Sequence, residues 1–142
     1  MQGRTLILGS GVIVYLLSWL VPVLADGTAL GAGGLPGWEA FRYALAPLWP
    51  YKGLTGEGGF SDVLAVASAS TNVWFVVSVT LVALRRRERL AYWGLALAWV
   101  VDAVWFVSSD RGSLRIGYWL WLAAFVLVAM AAKAGSRRTP TA

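Results

Sequence analysis

A cluster of arginines divides the chain into two strongly apolar halves. Residues 85–89 read Arg-Arg-Arg-Glu-Arg and lie between two long apolar runs. Each arginine would cost roughly 2.5–3.5 kcal/mol at the centre of a bilayer on insertion scales. We therefore expect the cluster to stay on the cytoplasmic side and the flanking runs to form a helical hairpin across the membrane. These topology anchors are Arg85, Arg86, Arg87 and Arg89.

Four apolar runs have the length of a transmembrane helix. A hydrocarbon core of about 30 Å is crossed by about 20 helical residues at 1.5 Å per residue. The predicted spans are 5–24, 63–84, 90–107 and 114–132. They predict an all-α integral membrane protein, one membrane domain of residues 1–142 folded as a four-transmembrane-helix bundle. An outer loop at 25–62 and a cytoplasmic tail at 133–142 complete it, with both termini cytoplasmic and the plasma (inner) membrane as location.

Composition narrows the possible functions. The chain is 58% hydrophobic and 13% charged, whereas a typical soluble domain has about 25% charged residues. The net charge of +5 comes largely from arginines at the borders of the apolar runs, as the positive-inside rule requires. We therefore expect the lipid bilayer, and not a nucleic acid, to be the main partner.

The chain contains neither cysteine nor histidine. Within one chain this excludes disulfides, thiolate metal sites, histidine ligation of haem, and Ser-His or Cys-His catalysis. An intramembrane aspartyl protease needs two carboxyl groups that share a proton, and Asp102 is the only acid inside a predicted span. We expect a non-enzymatic protein without metal or cofactor that contacts lipid.

The outer loop contains a segment with helical periodicity. Glu39 and Arg42 lie on one face of it, Pro36 stands near its start, and Pro47 limits it. The pattern predicts a short amphipathic helix that lies on the outer membrane surface or caps the bundle. Its simplest role is an interfacial anchor, and the alternative is a lid over a substrate. The apolar positions are Trp38, Phe41, Leu45 and Leu48.

Counting from the arginine cluster predicts a polar layer. Asn72 lies 13 residues before Arg85 (85 − 72), and Asp102 lies 13 residues after Arg89 (102 − 89). On antiparallel neighbouring helices both lie about 20 Å from the cytoplasmic border. The candidate residues are Asp102, Asn72, Thr71, Ser68, Ser18 and Tyr118, with Trp99 and Trp105 one turn to either side of Asp102 and Arg115 at the outer mouth.

An acid inside a span must face the bundle interior and find partners. In a structural role, Asp102 would connect helices through Asn72, through hydroxyl groups or through an arginine. In a functional role, it would bind a cation or a proton in an outward-facing pocket lined by tryptophans. A contact with another subunit is the third possibility. A dry, fully paired Asp102 favours the first role, and a cavity reaching it favours the second.

Small residues indicate faces for close helix contact, namely Gly9, Ser10 and Gly11 in the first span and the pair Gly94 and Ala98 in the third. They favour an accessory or assembly subunit of a membrane complex, or a self-associating four-span protein. The alternative is a small transporter or a ligand- or ion-binding membrane protein that uses Asp102.

Overall fold

The computed structural model describes residues 2–25, 34–53, 56, 58–108 and 113–136, and this part of the chain is mostly helical. The helices are α1 (Gln2–Leu20), α2 (Gly37–Ala44), α3 (Phe60–Ala83), α4 (Glu88–Ser108) and α5 (Ile116–Ser136). Two short strands, β1 (Pro22–Leu24) and β2 (Leu35–Pro36), pair antiparallel. Helices α1, α3, α4 and α5 are long and apolar enough to cross a membrane. The prediction of a helical chain with four such helices is confirmed.

The first long helix ends earlier than predicted. Helix α1 stops at Leu20, four residues before the predicted end at 24, because Pro22 lacks an N–H and cannot continue a helical hydrogen-bond ladder. The backbone instead forms β1 and pairs with the chain before α5, where Arg115 N donates to Val23 O at 2.8 Å. The other three helices agree with the predicted spans within four residues. Parts of the predicted outer loop, outer turn and cytoplasmic tail lie outside the described residues.

Neighbouring long helices run in opposite directions, so the bundle has two distinct ends. The arginine end holds the start of α1, residues 84–89 and the end of α5. There Arg4 forms an ion pair with Glu88 and donates to Val82 O at 2.6 Å, and Gly135 lies against the Glu88 carboxylate. The loop end holds α2, the end of α1 and the start of α3. The arginine hairpin and α2 therefore lie at opposite ends.

The turn between α3 and α4 is tight. Arg85 and Arg87 adopt positive φ angles of 55° and 46°, in the left-handed region that costs an L-residue about 1–2 kcal/mol. The connection between the two helices has four residues, 84–87. The four arginines lie in it or directly after it, and the side chains of all four are exposed.

Two of the small residues are used for packing inside the chain. A Cβ at Gly11 would lie 2.8 Å from Val128 Cγ2 on α5, and a Cβ at Gly94 would collide with the Trp74 indole on α3. Glycine is thus needed at both positions for close approach. A Cβ at Gly9 would meet open space within 4 Å, so this part of α1 faces outward.

An aromatic core fills the middle of the bundle. The Phe75 ring stacks on Tyr15 with ring centroids 4.0 Å apart and contacts Phe125 at 5.0 Å. These rings join α1, α3 and α5, and Leu95 and Ala98 of α4 belong to the same cluster. Because the cluster lies on the arginine side of Asn72, it fills the interior of the bundle between the polar residues and the arginine end.

Candidate functional site

Asp102 is buried where α3, α4 and α5 meet, with a side chain 0% exposed. Ser68 Oγ donates to Asp102 Oδ1 at 2.9 Å. Thr71 Oγ1 lies 3.0 Å from Oδ2 and 3.2 Å from Oδ1 of the same carboxyl group. The Tyr118 hydroxyl of α5 donates to the backbone carbonyl of Asp102 at 3.0 Å. The acid therefore connects two helices through its side chain and a third through its peptide group.

Asn72 connects α3 to two other long helices, α1 and α5. Tyr15 OH on α1 and Trp121 Nε1 on α5 both donate to Asn72 Oδ1, at 2.9 and 3.1 Å. An indole N–H can only donate, so the amide has to present its oxygen here and its nitrogen on the other side. Asn72 Nδ2 lies 3.4 Å from Ser68 O and 3.3 Å from Ala69 O, longer than the roughly 2.7–3.2 Å of ordinary N–H···O bonds. Both contacts are long hydrogen bonds, so the amide nitrogen is only weakly paired.

A cavity of about 430 Å³ lies at the loop end, beside Asn72. This volume falls within the roughly 300–1,000 Å³ of small-molecule sites. Helices α1 to α5 and strand β1 all contribute to its walls, and its described lining residues include no Asp, Glu, Lys or Arg. Its lining includes the polar side chains of Ser68 and Asn72 and the aromatic rings of Trp19, Phe41, Trp105, Tyr118 and Trp121.

Ser68 separates Asp102 from this cavity. Ser68 lines the cavity and donates to the carboxyl group, whereas Asp102 is not among the lining residues and is 0% exposed. The acid is thus one hydroxyl group away from the open space. A ligand in the cavity would meet Asn72 and Tyr118 before it met Asp102.

Helix α2 covers the cavity. A Cβ at Gly37 would lie 2.8 Å from Trp19 Cα, so the first residue of α2 packs directly on the last turn of α1. The Phe41 ring then contacts the Trp19 ring at 5.3 Å. Ala40 and Ala44 face the cavity from the same helix, and their small side chains leave the space open.

Comparison with known proteins identifies no relative. No protein-family model, no curated protein and no solved structure matches this chain. Function is therefore inferred from the residues and contacts of the chain itself.

Charged residues hold α2 to the segment that follows it. Glu39 is buried and forms an ion pair with the exposed Lys52. The hydrogen bond from Lys52 to Glu39 raises the pKa of the lysine ammonium group above its usual value. The Arg42 guanidinium lies 4.9 Å from the ring centroids of both Trp49 and Tyr51. These contacts keep α2 in place over the cavity.

The structure separates some residues that the sequence analysis grouped together. Trp105 lines the cavity, but Trp99 is 38% exposed and Arg115 is exposed at the surface. Around α2, Trp38 and Leu48 are exposed while Leu45 is half-buried. The predicted apolar stripe is thus split, with Phe41 directed at Trp19 and the ends of the stripe directed outward.

Tyr15 and Trp121 are site residues that the candidate set did not contain. Counting back 13 residues from Lys133 (133 − 13) reaches position 120, between Trp119 and Trp121, so depth alone already pointed to this turn of α5. The face of the helix was the missing information, because only packing decides that Trp121 and not Trp119 turns toward Asn72.

Proposed function

We propose that this chain is an integral protein of the plasma (inner) membrane that crosses it four times, with the arginine end in the cytoplasm. Four apolar helices of sufficient length support this. Their outward faces carry exposed apolar side chains, among them Leu16, Val76, Leu97 and Ile116. Apart from Asp102, the described charged residues lie near helix ends or between the long helices. The arginine end holds the cationic cluster, Arg4 and Lys133, as the positive-inside rule requires.

The absence of cysteine from the sequence permits a direct test of this topology. Ser61 and Arg86 are exposed near opposite ends of α3, so Ser61→Cys and Arg86→Cys form a matched pair. We expect a membrane-impermeant maleimide added to intact cells to label Ser61→Cys. Arg86→Cys should react only after permeabilisation. Labelling of both variants, or of Arg86→Cys alone, in intact cells would contradict the topology.

We infer further that the protein is non-enzymatic and binds a small molecule in the cavity at the loop end. The observation that carries this is the Asn72 amide, 8% exposed, whose nitrogen has only long contacts and which lines an apolar cavity of about 430 Å³. A few polar groups in mainly apolar walls are typical of ligand sites. Asp102 has a structural role here, because Ser68 and Thr71 pair its carboxyl group away from the cavity.

Blocking the cavity tests the binding function. Ala65 lines the cavity, so Ala65→Phe is expected to fill it, whereas Ala134→Phe adds the same ring at an exposed position of the arginine end. We expect native mass spectrometry of the purified full chain to show a bound molecule in the wild type and in Ala134→Phe. Ala65→Phe should lack it. Identical masses for all three proteins would contradict the binding function.

Assembly with other membrane subunits, or self-association, is the second candidate function. The open space at Gly9 beside the exposed Ser10 leaves a flat patch on α1, which suits a close contact with another helix. Gly11 and Gly94, by contrast, already pack inside the chain. Light scattering of the solubilised full chain tests this function, because an assembly through the Gly9 patch should dissociate in Gly9→Leu.

A further inference from the structure

We propose that the cavity at the loop end takes a neutral, largely apolar molecule with an ester or ketone carbonyl, which accepts a hydrogen bond from Asn72 Nδ2. This inference rests on the proposed binding function and specifies its ligand class. Three features of the cavity lead to it: the charge of its walls, the weakly paired Asn72 amide nitrogen, and the position of its aromatic rings.

The charge of the walls favours a neutral ligand. The described lining residues include no charged side chain, and burial of an unpaired ion in apolar surroundings is strongly unfavourable. An anion would also lie one hydroxyl group away from the Asp102 carboxyl, across Ser68. A cation would find no carboxylate among the described lining residues, because Asp102 is fully buried behind that serine.

The weakly paired Asn72 amide nitrogen favours an acceptor on the ligand. Ser68, Tyr118 and Trp121 line the cavity, but each donates its hydrogen to a partner inside the protein. The Asn72 oxygen likewise accepts two hydrogen bonds. Of these four side chains, Asn72 has the most weakly paired donor, because its amide nitrogen donates only at 3.3 and 3.4 Å. A donor needs an acceptor, and a carbonyl oxygen supplies one without adding charge.

The aromatic rings enclose the space between α2 and Asn72. Trp19 belongs to α1, Trp105 to α4 and Trp121 to α5, and all three line the cavity. A ligand with its carbonyl at Asn72 would thus extend its apolar body among these rings toward α2. Bromine atoms quench tryptophan fluorescence on contact, so a brominated ligand reports its own binding here.

Three probes with the same apolar chain test the proposal on the full chain in detergent. They are the methyl ester of bromoundecanoic acid, bromoundecane without an acceptor, and the bromoundecanoate anion. We expect saturable quenching in which the ester binds about three- to tenfold more tightly than bromoundecane, as one net hydrogen bond predicts. The anion should bind at least about tenfold more weakly than the ester.

Variants assign the quenching to this cavity. Ala65→Phe should abolish the saturable component for every probe, and Ala134→Phe should retain it. Asn72→Leu removes the donor, so the ratio of ester to bromoundecane affinity should fall to about one. If Asn72→Leu does not fold, the ratio of ester to bromoundecane affinity in the wild type still tests the proposed ligand class. Equal affinities would overturn the proposed ligand class and leave the binding function intact, whereas quenching by no probe would overturn both.

Discussion

Glu88→Leu is expected to lower the free energy of unfolding by about 3 kcal/mol, the low end of the usual effect of removing one partner of a buried ion pair, because this pair is partly buried. The side chains of Arg4 and Glu88 are only 17% and 10% exposed. Without the carboxylate, the guanidinium would keep its hydrogen bond to Val82 O but lose its counter-charge. Helical circular dichroism during denaturation of the solubilised full chain measures the effect.

Two further variants separate the ion pair from the packing around it. The double variant Arg4→Leu with Glu88→Leu should recover most of the lost stability, because it leaves no unpaired charge. Arg89→Leu, at an exposed arginine of the same turn, should change stability by less than about 0.5 kcal/mol. A loss below about 1 kcal/mol for Glu88→Leu would show that solvent screens the pair as at an open surface.

Asp102→Ala is expected to cost about 2–4 kcal/mol, because it opens a void and removes the acceptor of the Ser68 hydroxyl. Asp102→Asn should cost less than about 1 kcal/mol. The Thr71 hydroxyl has one hydrogen, and its oxygen lies 2.6 Å from Ser68 O and 3.0 Å from Asp102 Oδ2. It can therefore donate to only one of these two oxygens. An amide can accept from Ser68 and donate to Thr71, which then donates to Ser68 O.

Thermal denaturation of the solubilised full chain compares these variants. Tyr118→Phe serves as a control, because Tyr118 bonds to the backbone carbonyl of Asp102 and not to the carboxyl group. Tyr118→Phe should lower the free energy of unfolding by about 1 kcal/mol. If Asp102→Asn were as damaging as Asp102→Ala, the carboxylate itself would be required, and a cation site at Asp102 would replace the structural role.

The helical architecture could be predicted because its causes are local. Span length follows from the apolar runs, and the hairpin follows from the arginines at 85–89. The early end of α1 was harder to predict from the sequence. Pro22 signals a break, but the strand that follows exists only because β2 and the segment before α5 lie beside it.

The polar residues show that the position of a residue along a helix can be predicted from the sequence, whereas the direction of its side chain cannot. Residue counting selected Asn72 and Asp102, which are both buried. It also grouped Trp99 with Trp105, although one is partly exposed and the other lines the cavity. The two tryptophans are six residues apart, which puts them about 120° apart around the helix axis. Which of them faces the interior therefore depends on the rotation of α4, and rotation is set by partner helices.

The sequence alone determined the number and length of the apolar helices and the opposite directions of successive ones. The reason is that the free energy of transfer from water to an apolar medium depends on each residue and its near neighbours. The tertiary structure alone decided that Ser68 lies between Asp102 and a cavity, that Tyr15 and Trp121 orient the Asn72 amide, and that α2 covers the space. These relations join residues up to 57 positions apart, and they depend on which helix faces meet.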